Sequence, residues 1–418
     1  MLFYIGTTFK IMKTKLSYFC LSFLLYLVNI SHTNAQIDSS LYKIVHNTLA
    51  ESKIKFAPDK RTKLLEIVKV DVKNNQYFIQ TTEKEVIPFL NKKLQNYSAN
   101  IHYSILPDST VGNKKHGVSI LSVANLRTNP GHGEEMATQI LLGTQVDILQ
   151  KEKGEFRVRT PEGYIAWVPT TSIAQMDDTE LKVWKDSPKI IYNNEFGKSY
   201  SKPNINSLRV SDLVYGNILT VIKADDNFYH VKYPDGREAY IIKDEAMSFD
   251  IWLNTRELTA ENILNSARSM LGLPYLWGGT SVKGVDCSGL TKTSFYMNGY
   301  VIPRDASQQV LAGEKIDILG KNGDFDPEKA LNNLKPADLL FFAGGKNSNP
   351  NARVTHVAIY IGNGEFIQSA GRVRINSMIK GASNYDDFQA RTVVAARRYI
   401  GINDPQIQPI KENKFYKN

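Results

Sequence analysis

Apolar and polar positions along the chain change their period several times, and the changes mark out segments. A run from Leu16 to Ile30 is mostly apolar, with Phe23, Leu24, Leu25, Leu27 and Val28 at its heart. Leu41, Ile44, Val45 and Leu49 then recur at helical spacing, Leu64–Val70 reads as a strand, and Val86, Phe89, Leu90, Leu94 and Tyr97 return to helical spacing. Between 115 and 175 short strands take over: 117–123, 145–149, 156–159 and 164–168. Turn signals at Asn129-Pro130-Gly131, Leu142-Gly143-Thr144 and Pro161-Glu162-Gly163 separate them. Several short strands at this spacing predict a small barrel. Residues 180–247 repeat the order more loosely, through Ser207–Val210, Asn217–Ile222, Phe228–Tyr233, the turn Pro234-Asp235-Gly236 and Ala239–Ile242. From about 255 the pattern is mixed. Thr259 caps a predicted helix over 260–271, a second helix is predicted over 288–296, and strands follow at 338–342, 357–361, 365–368 and 393–396. The tail from 403 is polar and is expected to fray.

The first 35 residues read as an export signal. Lys10, Lys13 and Lys15 precede the apolar run, and Thr33-Asn34-Ala35 offers a small residue for cleavage. The run is about 15 residues, short of the roughly 20 that span a bilayer. The expectation is a periplasmic or extracellular protein with no membrane attachment after cleavage. Losing the three lysines lowers the formal charge from +9 to +6. That balance is too mild and too dispersed for nucleic acid. Apolar residues at 42% and charged residues at 22% exclude a disordered or fibrous chain.

Only two cysteines occur, Cys20 inside the signal and Cys287. The mature chain therefore carries one thiol and no internal disulfide, although export would permit one. A lone thiol outside the cytoplasm marks a candidate nucleophile. Cys287 follows the glycine-rich stretch Leu273–Val285 and opens a predicted helix, where backbone N–H groups and the helix dipole favour a thiolate. His356, at the start of the apolar strand Val357–Ile361, is a suitable base. Gln368, one Gly362-Asn363-Gly364 hairpin later, can orient the imidazole. No His/Asp cluster has metal-ligand spacing, so neither a metal nor a cofactor is expected.

Four motifs in order then carry a resemblance: Pro274-Tyr275-Leu276-Trp277-Gly278-Gly279, Asp286-Cys287-Ser288-Gly289-Leu290, Ala337-Asp338-Leu339-Leu340-Phe341-Phe342 and His356-Val357-Ala358-Ile359-Tyr360-Ile361-Gly362. Over about residues 258–400 the chain resembles the NlpC family of papain-like cell-wall cysteine peptidases. The resemblance implies Cys287 as nucleophile, His356 as base, and Gln368 in a third polar place that more often holds histidine. Tyr275 matches the tyrosine that stabilises the oxyanion. Asn125-Leu126-Arg127-Thr128-Asn129-Pro130 with Gly163–Val168 resembles bacterial SH3-like modules, with Ala166 where glycine is usual.

The organisation expected is thus a multi-domain α+β protein. A signal peptide (1–35) and a mixed region of unknown role (36–112) precede two small SH3-like β-barrels (113–176 and a divergent 177–250). A papain-like NlpC catalytic domain (255–402) and the polar tail (403–418) follow. The arrangement is similar to γ-D-glutamyl-L-diamino acid endopeptidases of murein turnover, whose first barrel closes one end of the cleft around a free N-terminal L-alanine. In that likeness Asp305 meets the amine, Glu135 and Tyr164 complete its pocket, and Asp286, Ser288 and Trp277 line the cleft. The expected substrate is a peptidoglycan stem peptide, handled by a monomer. Two other readings follow from the same residues: an endopeptidase on intact cross-linked wall, and a non-catalytic wall-binding protein.

Overall fold

The computed structural model describes residues 39–344, 352–386 and 391–417. The export signal read at 1–35 lies outside them. No helix among the described residues is long and apolar enough to cross a membrane. The chain divides into two compact units, ending and resuming at Ile105 and Leu106.

In the first unit, helix α1 (Ser39–Phe56) is followed by strands β1 (Leu65–Asp71) and β2 (Gln76–Thr81), helix α2 (Val86–Leu94) and strand β3 (Asn100–Ile105). β1 and β2 pair antiparallel, β2 and β3 parallel. Val45, Leu49, Ile79, Val86 and Leu90 are buried between the helices and the sheet.

The second unit opens with two seven-stranded sheets. The first contains β4 (His116–Ser119), β5 (Val123–Arg127), β6 (Met136–Leu141), β7 (Gln145–Glu152), β8 (Glu155–Arg159), β9 (Ile165–Pro169) and β10 (Ile173–Met176). Helix α3 (Asp178–Asp186) leads into the second: β11 (Lys189–Tyr192), β12 (Phe196–Tyr200), β13 (Arg209–Val214), β14 (Ile218–Ala224), β15 (Phe228–Lys232), β16 (Glu238–Ile242) and β17 (Ala246–Ser248). Their spatial orders are β10-β4-β7-β8-β9-β5-β6 and β17-β11-β14-β15-β16-β12-β13. These are one topology used twice, each strand matching the one seven places later. Even the irregularities recur. A bulge interrupts β7–β8 between Ile148 and Gln150 and β14–β15 between Val221 and Lys223. The single pair Arg127↔Trp167 joins β5 to β9, and Tyr200↔Tyr240 joins β12 to β16. Tyr240 therefore stands where the first sheet has Trp167.

Closed barrels are the sequence-based expectation, but the described pairings leave both sheets open. β6 pairs only with β5, and β10 only with β4. The outer side of β6 is taken instead by residues near the cysteine loop: Thr280 donates its amide to Gln139 Oε1 (2.9 Å) and its hydroxyl to the Gln139 carbonyl (3.2 Å). An edge strand covered in this way needs no further strand.

Helix α4 (Phe249–Thr255) and helix α5 (Ala260–Ser269), capped by Thr259, lead to the last layer. A short ribbon, β18 (Thr280–Ser281) and β19 (Gly284–Val285), precedes helix α6 (Cys287–Tyr296), β20 (Tyr300–Val301) and helix α7 (Ala306–Gln309). Then come β21 (Glu314–Ile316), helix α8 (Pro327–Asn333), β22 (Leu339–Gly344), β23 (Val354–Gly362), β24 (Glu365–Ala370), β25 (Arg372–Ser377), β26 (Arg391–Arg398) and β27 (Gln408–Pro409). Six of these strands form an antiparallel sheet in the order β21-β26-β22-β23-β24-β25. α5 and α6 pack on one face of it through Ile263, Leu264, Leu290, Phe295, Val357 and Ile367.

The polar tail does not fray. Ile407, Ile410 and Phe415 are buried, and β27 pairs with β20. A few apolar anchors spaced among charged residues suffice to fix such a segment, and average polarity hides them.

Candidate active site

Cys287 is the first residue of α6, and the loop before it is pinned to that helix. Asp286 caps the helix by accepting the Gly289 amide (2.6 Å) and reaches back to the Gly278 amide (2.9 Å). Gly289 lets the two segments touch, because a Cβ there would strike the Gly279 carbonyl oxygen. Arg304 grips the carboxylate of Asp286 with both terminal nitrogens, at 2.6 and 3.2 Å, and Ser288 Oγ at 2.8 Å. Asp286 and Ser288, expected to line the cleft, are thus buried and committed to this network. Arg304 is 1% exposed and was not singled out from the sequence. Only its neighbour Asp305 drew notice there.

The thiol of Cys287 is buried and free. The amides of Val357, the residue after His356, and of Ser288 both donate toward its sulfur. Burial pushes the thiol up to about 11, with the Asp286 charge adding to it, against those amides and Arg304. The helix start alone argues for a lowered value; desolvation outweighs the dipole here.

His356 lies in β23 and is 7% exposed. Burial lowers its imidazole to about 4, and the Arg391 cation lowers it further, while the Gln368 hydrogen bond, Asp386 and Asp286 oppose. Burial thus favours the neutral form of both the thiol and the imidazole. The β23–β24 register, Ile359↔Ile367, sets Gln368 diagonally across from His356. His356 Nε2 lies 2.7 Å from Gln368 Oε1. Gln368 is fully buried and makes three more contacts: Arg391 Nη2 to its Oε1 (2.9 Å), and its Nε2 to Asn376 Oδ1 (2.8 Å) and Asp386 Oδ2 (3.1 Å).

Tyr275 is half-buried in the loop that leads to Cys287, and burial and then the Cys287 charge raise its phenol. The first seven-stranded sheet reaches this region. Tyr164 donates its hydroxyl to Asp305 Oδ2 (3.2 Å). Trp277, 60% exposed, donates its indole N–H to Glu135 Oε1 (2.9 Å). Arg304 Nε donates to Thr138 Oγ1 (2.9 Å) on β6. The two residues read from the first repeat, Glu135 and Tyr164, are therefore both brought against residues of the last layer. Asn376, Asp386 and Arg391 were missed, since no motif or spacing connects them to Gln368.

Five likenesses accompany this geometry. Residues 272–392 match the NlpC/P60 family, and residues 126–173 match the bacterial dipeptidyl-peptidase Sh3 domain. The chain is 30% identical over 282 residues to the γ-D-glutamyl-L-lysine dipeptidyl-peptidase of Bacillus cereus, covering 64% of this chain and 77% of the relative. It is 27% identical to dipeptidyl-peptidase 6 of Lysinibacillus sphaericus, covering 67% and 98%. Its fold is similar to the crystal structure of an NlpC/P60 family protein from Bacillus cereus, with a TM-score of 0.54 at 24% identity over 68% of this chain and 99% of that one. The chain belongs to the NlpC/P60 family of cysteine peptidases.

Proposed function

We propose that this peptidase hydrolyses the bond between γ-D-glutamate and the diamino acid, diaminopimelate or L-lysine, of peptidoglycan stem peptides that carry a free N-terminal L-alanine. One observation carries the reading. Tyr164, from the first repeat, meets Asp305 of the peptidase layer at 3.2 Å, so a carboxylate suited to an ammonium group stands where the two layers join. Glu135, held by Trp277, adds a second acid at that rim. The names of the relatives from Bacillus cereus and Lysinibacillus sphaericus, both dipeptidyl-peptidases, agree with a site that measures two residues from the N-terminus.

In this reading Cys287 Sγ attacks the scissile carbonyl carbon as its proton passes to His356. The oxyanion is held by the backbone amide at Cys287 and the Tyr275 hydroxyl. The tetrahedral species collapses as His356 gives the proton to the leaving amine, leaving a thioester on Cys287. Water, deprotonated by His356, then releases the L-alanyl-γ-D-glutamate dipeptide and restores the thiol. Gln368 orients the imidazole. The two seven-stranded sheets serve as SH3-like modules (113–176 and 177–250) that shape and close the cleft of the 255–402 peptidase layer. Export places the enzyme where its substrate is.

Incubating the protein with free L-Ala-γ-D-Glu-diaminopimelate, an N-acetylated form and intact sacculi, beside Cys287→Ala, tests the reading by mass spectrometry. Release of L-Ala-D-Glu from the free tripeptide alone, abolished by the substitution, is the expected result. Cleavage of sacculi would mean an open cleft acting on intact wall and would overturn the roles of Asp305 and Glu135. No cleavage of any substrate would leave the wall-binding reading.

A further inference from the structure

We infer that Arg391 and Asp386, acting through the amide of Gln368, hold the His356 imidazole in the tautomer protonated at Nε2, which leaves Nδ1 as the nitrogen able to take a proton. The inference rests on the reading of His356 as the base. A glutamine beside a histidine is ambiguous where a carboxylate is not. Its oxygen selects the Nε2–H tautomer. Its NH₂ group selects the opposite one, which carries a proton on Nδ1 and cannot act as a base there.

Three partners remove that ambiguity. A guanidinium only donates, so Arg391 Nη2, at 2.9 Å, fixes the near end of the amide as oxygen. An ionised carboxylate only accepts, so Asp386 Oδ2, at 3.1 Å, fixes the far end as nitrogen. Asn376 Oδ1 also takes that nitrogen, at 2.8 Å, and its own sense is set because its Nδ2 donates to the Asn384 carbonyl (3.0 Å). Turning the Gln368 amide over would set NH₂ against a cation and an oxygen against two acceptors. Arg391 and Asp386 also pair with each other at 3.3 Å, so each holds the other in place. Arg391 further lies over the Phe342 ring (5.5 Å), whose edge meets His356 (5.2 Å between centroids).

The charges facing His356 come from two sides. Arg391 and Asp386 stand behind Gln368, while Asp286 stands at the start of α6. The cation and anion behind Gln368 oppose each other, so the pair sets the sense of the amide without committing the imidazole to its charged form. Arg391 and Asp386 are positioning residues, since neither reaches a reacting atom.

The test labels the protein with ¹⁵N-histidine and assigns His356 by the signal lost in His356→Asn. At neutral pH without substrate, the full protein should show one tautomer, Nε2–H, and Arg391→Lys should keep it. Arg391→Met should give a mixture. Its kcat on the free tripeptide should fall at least tenfold with KM changed less than twofold, and the acidic limb of kcat/KM should move to higher pH. Asp386→Asn, nearly isosteric, should move that limb to lower pH and introduce a minor Nδ1–H population. A single Nε2–H tautomer and an unmoved acidic limb in both Arg391→Met and Asp386→Asn would overturn the inference, whatever happens to kcat. If Arg391→Met does not fold, Asp386→Asn alone decides by the same two readouts. The tautomer is read without substrate, so failure of the peptidase reading, seen as no cleavage by the unsubstituted protein, is distinguishable from failure here.

Discussion

The thiol and the imidazole rest unionised because burial penalises both charged forms. Cys287 is raised to about 11 and His356 lowered to about 4. Many activated cysteines form a thiolate–imidazolium pair, which needs the opposite order of pKa values. On the proposed mechanism the proton therefore moves when substrate arrives, with His356 as the base. The sign of the pH dependence follows. His356 loses its function when protonated, and a lowered pKa keeps it unprotonated to more acid pH, so kcat/KM should hold through pH 6.5 and fall only toward pH 4. Alkylation reads the thiol independently. Iodoacetamide should modify Cys287 of the free protein more slowly at pH 7 than it modifies free cysteine, with the rate climbing toward pH 11; a fast reaction below pH 7 would show a thiolate instead. Cys287, His356 and Tyr275 were legible because they sit inside contiguous motifs, and Gln368 because one tight hairpin returns the next strand beside His356. Arg304, Asp386 and Arg391 were not, because their meaning comes from neighbours supplied by other strands. The raised thiol was not legible either: a helix start is visible in a sequence, but the desolvation that outweighs it is a property of the packed site.

At the scale of elements, α6 depends on one close approach. Gly289 lies inside the helix, where replacing glycine by alanine ordinarily stabilises by about 1 kcal/mol. Here the added methyl would meet the Gly279 carbonyl oxygen and push the glycine-rich loop off the helix. Gly289→Ala is therefore expected to lower Tm and to cut activity together, and calorimetry showing a raised Tm would refute the packing argument. The sequence shows the motif but not the partner of its glycine. The seven-strand repeat was partly legible. Its strands near 218–224, 228–232 and 238–242 follow alternation and a Pro-Asp-Gly turn, whereas β12 and β13 join through residues that alternate poorly and were only half seen. Openness of the sheets was not legible, because it depends on what covers β6. That cover is the Thr280 region, more than 130 residues along the chain, through hydrogen bonds to Gln139.

Across the second unit, the last residues tie three layers together. Asn413 donates to the Pro161 carbonyl beside the first sheet (3.0 Å), and Lys414 pairs with Asp147 of β7 (2.9 Å). Lys185 of α3 donates to the carbonyls of Lys414 and Lys417. Tyr416 packs near Phe249 of α4, and β27 pairs with β20, directly after the helix that carries Cys287. The surface ion pair counts for little, since exposed pairs contribute about 0–1 kcal/mol. Burial of Ile407, Ile410 and Phe415 dominates, at roughly 1.5–3 kcal/mol for each side chain. Ending the chain at Gln406 should therefore destabilise this unit by several kcal/mol, about 2–4 °C of Tm for each kcal/mol in a domain of 150–250 residues and somewhat less in a larger unit. Because the tail touches both sheets and the peptidase layer, its loss should also loosen the first sheet against the Cys287 loop. KM for the free tripeptide should then rise more than kcat falls at a temperature where the truncated protein stays folded. An unchanged Tm with unchanged KM would mean that the tail is only draped over the surface and that the sheet–loop hydrogen bonds hold the cleft alone.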